Sequence, residues 1–167
     1  IIKSGRSSRG AMAAASHTGS LSGADDVFDA IVRQCGALRA ESTREAFAWS
    51  KFLTESPLPA GKNSVIITNG GGAGVMATDA FEKYGVGMFD DAQRLREVFT
   101  PVTPSFGSTK NPIDITGQAS AADYTKAFDA ALSCPDIHSV LGVYCESALF
   151  TPETLTEAIE NNFKRFR

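Results

Sequence analysis

The chain has 167 residues, of which 43% are hydrophobic and 21% charged, and its formal net charge at pH 7 is −3. These values are ordinary for a globular protein and exclude disordered and fibrous proteins. No apolar run approaches the roughly 18 residues of a membrane-spanning helix. Three scattered cysteines, with no CxxC spacing, exclude a disulfide framework and a zinc site, so we expect a cytoplasmic protein that binds no metal.

The charge is unevenly distributed along the chain. Residues 1–24 carry three basic side chains, Lys3, Arg6 and Arg9, and no acidic one, so the remaining residues carry −6. A basic, glycine-rich start on a mildly acidic body argues against nucleic-acid binding, which needs a wider basic surface. This distribution is suited to attracting a small anion to one place.

One histidine, His17, lies within this basic segment among small residues. We expect a flexible loop here, in which a neutral imidazole accepts phosphate and carries it onward. Ser16, Thr18 and Gly19 are the candidate phosphate-binding neighbours. From the residues alone, a surface histidine of no consequence remains the alternative.

Two helices and a linker are predicted next. Residues 24–34 place Val27, Ala30 and Ile31 at helical spacing, and Gly36 follows as a stop. A second helix begins at Ser42, which forms a capping-box pattern with Glu45, and Trp49 is expected to pack on one face with Ala46 and Leu53. Residues 56–63, with two prolines and a glycine, are typical of a linker.

From residue 64 onward the pattern alternates between strands and helices. The predicted strands are 64–68, 86–89, a short one within 111–117, and 139–144, of which the first and last are expected to be buried; the predicted helices are 75–84, 90–99, 121–132 and one that starts at 152. This order indicates an α/β domain, a flavodoxin-like open parallel sheet flanked by helices. Ligand sites are then expected at the carboxyl ends of the strands.

A glycine cluster at this sheet edge follows the first strand, in the order Asn69, Gly70, Gly71, Gly72, Ala73, Gly74. Three interpretations stay open: a tight turn with close helix–strand packing, a phosphate contact at a helix N-terminus, or a dinucleotide site. The third glycine of the dinucleotide motif is missing. Asp114 is expected to cap a turn, and His138 to be structural.

The segment GRSSRGAMAAASHTGSLSGADD (residues 5–26) resembles the phosphohistidine segment of the nucleoside-diphosphate-forming acyl-CoA synthetases, relatives of succinyl-CoA synthetase. TNGGGAGVMATDA (68–80) and NPIDITG (111–117) follow in the family's order and are similar to the C-terminal domain of the succinyl-CoA synthetase β subunit. The resemblance implies three parts: 1–23 as the end of a flavodoxin-like domain with its phosphohistidine loop, 24–61 as helical connector and linker, and 62–167 as a second flavodoxin-like domain.

The family resemblance also implies a reaction. Phosphate attacks an acyl-CoA, the resulting acyl phosphate phosphorylates His17, and the loop carries the phosphate to ADP with Mg²⁺. Asn69, Gly70, Gly71 and Gly72 are the implied phosphate contacts of the second domain, although the helix after Cys145 could supply this helix N-terminus instead. The fragment itself holds no cofactor. Domains that bind CoA and ATP, and an oligomeric partner, belong to the complete enzyme, so the fragment alone is expected to be inactive.

Alternatives of other kinds remain. Some family members are fused to a protein lysine acetyltransferase and act as acyl-CoA sensors, but these typically lose the histidine that this chain retains. A non-catalytic assembly domain is a further alternative. The first residues are typical of the end of a strand, and a strand is expected after the last helix, so we expect a piece of a longer protein.

Overall fold

The structure is a computed structural model that describes residues 1–18, 23–149 and 151–166. It contains two compact units, Ile1–Leu58 and Pro59–Arg167, which we describe separately. In the described parts of the chain, no helix combines the length and the apolar character needed to cross a bilayer.

The first unit contains three helices, α1 (Ser8–Thr18), α2 (Asp25–Gln34) and α3 (Thr43–Glu55). Its extended segments meet in one parallel bridge between Ile2 and Ala40. The predicted helix at 24–34 is confirmed, and Gly36 ends it in the left-handed conformation with φ 65°. The helix face that the apolar spacing predicts to be buried is not the buried one, however. Val27 and Ile31 are exposed, and Val32 is the buried residue of the helix.

Helix α3 begins as predicted but is buried less than expected. The Ser42 hydroxyl accepts a hydrogen bond from the Glu45 N–H at 3.1 Å. The Glu45 carboxylate accepts from the N–H of Glu41 rather than of Ser42, at 2.6 Å, so the cap spans one residue more than a capping box. Trp49 is half-buried, whereas Leu53 is exposed, so the predicted packing face is only partly covered.

The second unit is built on a parallel sheet of three strands, β1 (Ser64–Thr68), β2 (Ile113–Asp114) and β3 (Ser139–Val143), in the order β2-β1-β3. The flanking helices are α4 (Gly71–Tyr84), α5 (Ala92–Phe99), α6 (Ala121–Leu132) and α7 (Pro152–Phe166), with a 3₁₀ turn at Thr100–Val102. All five residues of β1 are buried. This is the predicted flavodoxin-like α/β architecture.

The core of the second unit lies around β1 and α6. Its largest fully buried side chains include Tyr124, Phe99, Ile66 and Ile113. A fully formed capping box of Ser120 and Asp123 begins α6, with the start and end of the helix where the sequence predicts them. Local caps and a β-branched central strand thus position the core helix against the sheet.

Three predicted elements of the second unit differ from the structure. The strand expected at 86–89 is only one parallel bridge, between Ser64 and Met88. Next to it, the Asn111 side chain acts in place of a neighbouring strand: its Oδ1 accepts from the Ile66 N–H at 3.0 Å, and its Nδ2 donates to the Ser64 and Phe89 carbonyls at 2.9 and 3.0 Å. An amide side chain can replace a peptide group because it carries the same donor and acceptor.

The other two differences concern burial and helix length. Strand β3 is half-exposed instead of buried, with Leu141 38% accessible, because it lies at the edge of the three-stranded sheet. Helix α4 begins at Gly71, four residues before the predicted start, so most of the glycine cluster is helical. Its C-terminus matches the prediction, with Gly85 left-handed at φ 67°.

Candidate functional site

His17 is exposed in the last turn of α1, and the predicted flexible loop is wrong for the described residues 8–18. Alanine, the strongest helix former, fills much of this stretch and outweighs the serines and glycines. The Ser7 hydroxyl accepts from the Gly10 N–H at 3.1 Å, as an N-cap side chain does. The helix therefore presents His17 at its C-terminal end.

The residues that flank His17 were predicted to bind phosphate. The Ser16 hydroxyl donates to the Met12 carbonyl at 3.0 Å, which is a bond within the helix. Thr18 is the last residue of α1, and Gly19 lies outside the described residues. The phosphate-binding roles of these three residues and the catalytic role of His17 stay predictions.

Two of the three basic residues near the start of the chain, Lys3 and Arg6, are paired with acids, contrary to their expected role in attracting an anion. Lys3 Nζ lies 3.2 Å from Asp25 Oδ1, and Arg6 Nε lies 3.7 Å from Asp25 Oδ2. Arg6 also pairs with Glu41 at 3.3 Å. Their charges are thus largely neutralised inside the unit, so Lys3 and Arg6 act in structure more than in attraction.

Arg39 completes this charge network and was missed by the sequence reasoning. Its side chain is only 7% accessible and contacts Asp25 at 2.6 Å and Asp29 at 3.2 Å. The guanidinium lies over the Phe28 ring, 5.1 Å from its centroid. The hydrogen bond to Asp25 is the main reason that the pKa of Arg39 is raised. No local spacing signals this contact, since Arg39 is 14 residues from Asp25.

Acid should weaken the first unit through Asp25. The hydrogen bond from Arg39, more than any other contact, lowers the pKa of Asp25 from 3.8 to about 2. The unfolded chain therefore takes up this proton first as the pH falls, so the stabilisation is complete above about pH 4 and is lost towards pH 2. We expect Asp25→Asn to flatten the pH dependence of urea unfolding in this window. Fluorescence of Trp49, the single tryptophan, reports the unfolding. If the free energy of unfolding changed with pH in the same way in both proteins, the expectation would be contradicted.

The glycine cluster of the second unit forms the N-terminal end of α4. Gly70 is the N-cap residue with an extended backbone (φ −139°), and no side chain caps the helix. Gly71 and Gly72 are exposed, and the first helical hydrogen bond runs from the Gly74 N–H to the Gly70 carbonyl at 3.1 Å. The N–H groups of a first helical turn have no partner within the helix, and together with the dipole they attract anions.

The glycines of this cluster have two different environments. A Cβ on Gly70 would lie 2.4 Å from Cys145 Sγ, and one on Gly74 would lie 3.0 Å from Thr68 Cγ2. Close packing therefore explains these two residues. A Cβ on Gly71 would approach Asp114 Oδ2 at 3.1 Å, and one on Gly72 would meet nothing within 4 Å. The packing interpretation thus leaves Gly72 unexplained.

Asn69 joins the carboxyl ends of β1 and β3. It is buried, and its Oδ1 accepts from the Cys145 N–H at 2.7 Å while its Nδ2 donates to the Cys145 carbonyl at 2.9 Å. The main-chain N–H of Asn69 donates to the hydroxyl of Tyr124, which donates to the Val143 carbonyl at 2.7 Å. Burial raises the pKa of Tyr124, which keeps this donor protonated. The Asn69 side chain is thus used in structure, and its predicted phosphate contact stays a prediction.

Two further expectations concern Asp114 and His138. Asp114 Oδ1 accepts from the Thr116 N–H at 2.8 Å, which confirms that this aspartate caps a turn. His138 Nδ1 accepts from the Asn63 N–H at 3.1 Å, a structural role as expected. Within the described ranges, no group of three or more His, Cys, Asp or Glu residues is arranged to hold a metal ion.

Two family models match the chain. Residues 1–53 match the succinyl-CoA ligase like flavodoxin domain, and residues 64–167, well over half of the chain, match the Ligase-CoA domain. The chain belongs to the Ligase-CoA domain family. The predicted resemblance to the nucleoside-diphosphate-forming acyl-CoA synthetases is thereby confirmed.

Relatives of this Ligase-CoA family member are ADP-forming ligases. The chain is 50% identical over 159 residues to the alpha subunit of acetate–CoA ligase [ADP-forming] I from Pyrococcus furiosus, covering 95% of the chain and 34% of the relative. It is 35% identical over 167 residues to 4-hydroxybutyrate–CoA ligase [ADP-forming] from Nitrosopumilus maritimus, covering 100% of the chain and 24% of the relative. The chain thus spans about a third or less of these relatives.

A solved structure shows the same fold. It is an acetyl-coenzyme A synthetase 1 from Ca. Korarchaeum cryptofilum, in complex with phosphate and ADP, with a TM-score of 0.89 and 39% identity. The match covers 99% of this Ligase-CoA chain and 36% of that chain. The apo form of that protein matches with a TM-score of 0.88. The fold of this chain is therefore shared with that synthetase.

Proposed function

We propose that this chain is the part of an ADP-forming acyl-CoA ligase that carries phosphate on His17. The observation that carries the proposal is the 50% identity to an ADP-forming acetate–CoA ligase subunit over 95% of the chain. The exposure of His17 at the end of α1 supports it, because a phosphate carrier must reach a donor and an acceptor.

The proposed reaction proceeds in three transfers. Inorganic phosphate attacks the acyl-CoA carbonyl and expels CoA as its thiol, giving an acyl phosphate. A nitrogen of His17 then attacks the phosphorus, the bond to the acyl oxygen breaks, and the carboxylate leaves. Finally the β-phosphate oxygen of ADP attacks the same phosphorus, the P–N bond breaks, and ATP leaves a neutral imidazole ready for the next cycle.

The first turn of α4 is the proposed phosphate-binding site of the second unit. The exposed Gly71 and Gly72 leave main-chain N–H groups accessible, which suits a dianionic phosphoryl group. We assign Asn69 and Gly70 to the support of this turn, because the former joins β1 to β3 and the latter packs on Cys145. Ser16, Thr18 and Gly19 are the proposed neighbours of the phosphoryl group that His17 carries.

The remaining components belong, in this proposal, to the full-length protein. CoA, the nucleotide and Mg²⁺ bind to domains or subunits beyond this chain, which covers 34% of the acetate–CoA ligase subunit. The complete enzyme is then a cytoplasmic oligomer, and the fragment alone is inactive. The acyl-CoA sensor and the assembly domain are the alternatives that the following experiment separates from catalysis.

The test is to locate phosphate on the full-length enzyme. After incubation with [γ-³²P]ATP and Mg²⁺, the label should be acid-labile and stable to base, as a phosphoramidate is. Trypsin cuts after Arg9 and Arg33, so residues 10–33 form one peptide whose only histidine is His17, whereas His138 falls between Lys126 and Lys164. Label confined to the 10–33 peptide supports the proposal. Absence of label, or label with His138, contradicts it and favours a sensor or assembly role.

A further inference from the structure

An ion cluster in the first unit holds both ends of the segment that carries His17. We call Lys3, Arg6, Asp25 and Arg39 the basal cluster. Lys3 Nζ and Arg6 Nε contact the two carboxylate oxygens of Asp25 at 3.2 and 3.7 Å. Between Arg6 and Asp25 the chain runs through α1, which ends one residue after His17. The basal cluster therefore joins the residues that precede α1 to the first residue of α2.

Three of the four side chains of the basal cluster are more buried than those of ordinary surface ion pairs, whereas the fourth, Arg6, is 45% accessible. The side chains of Lys3, Asp25 and Arg39 are 17%, 22% and 7% accessible. Lys3 and Arg39 both lie over the Phe28 ring, at 5.4 and 5.1 Å from its centroid. Arg39 is held from a second side by Asp29 at 3.2 Å. Ion pairs gain strength as water is excluded, whereas exposed pairs contribute little.

We propose that Asp25 is a positioning residue for phosphate transfer, because its bonds to Lys3 and Arg6 fix the base from which His17 reaches its phosphate donor and acceptor. The inference rests on the proposed function, in which His17 carries the phosphate. Asp25 itself touches no reacting atom in this account. It contributes by fixing the position of Lys3 and Arg6, the two basic residues that precede α1 in the chain.

Chain length sets how far His17 can move from this base. Asp25 follows His17 by eight positions, which limits the distance between their Cα atoms to roughly 28 Å at about 3.3–3.6 Å per extended residue. Without the Asp25 carboxylate, Lys3 loses this ion pair while Arg6 keeps its pair with Glu41, so the N-terminal side of α1 is held less firmly at this point. The imidazole then samples more positions, and a misplacement of about 1 Å can slow a transfer by about 10²-fold.

The test compares Asp25→Asn with Asp29→Asn in the full-length enzyme. Both changes replace a carboxylate of α2 that pairs with Arg39, but only Asp25 is the partner of Lys3 and Arg6 in the basal cluster. Two steps are measured separately. One is single-turnover labelling of His17 from [γ-³²P]ATP. The other is phosphate-dependent CoA release from acetyl-CoA, with hydroxylamine trapping the acyl phosphate and the release without phosphate subtracted, because hydroxylamine also cleaves thioesters. This second step does not use His17.

We expect Asp25→Asn to slow His17 labelling at least ~10-fold while CoA release stays within about twofold of the wild type. Asp29→Asn should leave both within about twofold. The double variant Lys3→Gln, Arg6→Gln, which keeps the Asp25–Arg39 pair, should reproduce the loss seen with Asp25→Asn.

Three results would overturn the inference: unchanged labelling in Asp25→Asn, an equal loss of both steps, or an equal effect of Asp29→Asn. The second and third results would show that these ion pairs contribute to the stability of the fold and not to the position of His17. A wild-type enzyme that takes no label on His17 would instead overturn the proposed function, so the two failures are distinguishable.

Discussion

In the full-length enzyme, His17→Ala is expected to abolish ATP formation from acyl-CoA, ADP and phosphate, with a loss of about a thousandfold or more. The imidazole is the only link between acyl phosphate and ADP in the proposed sequence, so its removal stops both later transfers. CoA release from acetyl-CoA and phosphate, trapped with hydroxylamine, should persist because that step precedes His17. The measurement is a coupled ATP assay beside the trapping assay.

His138→Asn is the matched control for this variant. His138 Nδ1 accepts a hydrogen bond from the Asn63 N–H, a role that an asparagine oxygen can take over. We expect the control to retain ATP formation and the acid-labile label. Sustained ATP formation by His17→Ala, or loss of CoA release together with ATP formation, would argue against a phosphate carrier at this position.

The largest expected loss of stability follows from Asn111→Ala. This side chain makes three hydrogen bonds with main-chain groups of Ser64, Ile66 and Phe89. Ile66 is fully buried, so its N–H is left without a partner in the variant. The Ser64 carbonyl keeps a second hydrogen bond, from the Phe89 N–H at 2.9 Å. Each unsatisfied buried group costs about 1–3 kcal/mol, so the other two groups give an expected loss of about 2–6 kcal/mol. That is a large fraction of the ~5–15 kcal/mol of an ordinary domain.

Hydrogen–deuterium exchange of the peptide that spans β1 measures this effect locally, and urea unfolding measures it globally. Asn63→Ala provides the matched control, because Asn63 Nδ2 makes one exposed hydrogen bond, to the Asp136 carbonyl at 2.9 Å. We expect the control to lose less than about 1 kcal/mol. Equal protection of β1 in both variants would show that Asn111 does not act in place of a strand.

Local signals in the sequence predicted much of the second unit. The β-branched run of β1, the Ser120–Asp123 box, Gly85 and Pro152 each act within a few residues, so their structures follow from short stretches of sequence. Two other features depend on how the chain folds back on itself. One is the hydrogen bonding of Asn111 to β1 in place of a strand, and the other is the contact between Asn69 and Cys145, which are 76 residues apart. No short pattern encodes such pairings.

The candidate site was predictable in part for the same reason. His17 and the glycine cluster were found from residue type and resemblance, but α1 was expected to be a loop because small residues suit both a flexible segment and a helix. The partner of Lys3 and Arg6 could not be found, since the acid lies beyond α1. Charge counting showed an excess of basic residues but not that Lys3 and Arg6 pair with Asp25 and Glu41.

Gly72 illustrates a conflict between folding and chemistry. Nothing lies within 4 Å of the position that its Cβ would take, so the packing of α4 does not require glycine there. Glycine in the middle of a helix costs roughly 0.5–1 kcal/mol relative to alanine, because the unfolded chain is more disordered. Gly72 is the second residue of α4, where alanine is also the better helix former. The protein thus forgoes helix stability at an exposed first turn. In the proposed function, glycine is kept at this position for phosphate binding, because bare backbone there matters more than the stability of the helix itself.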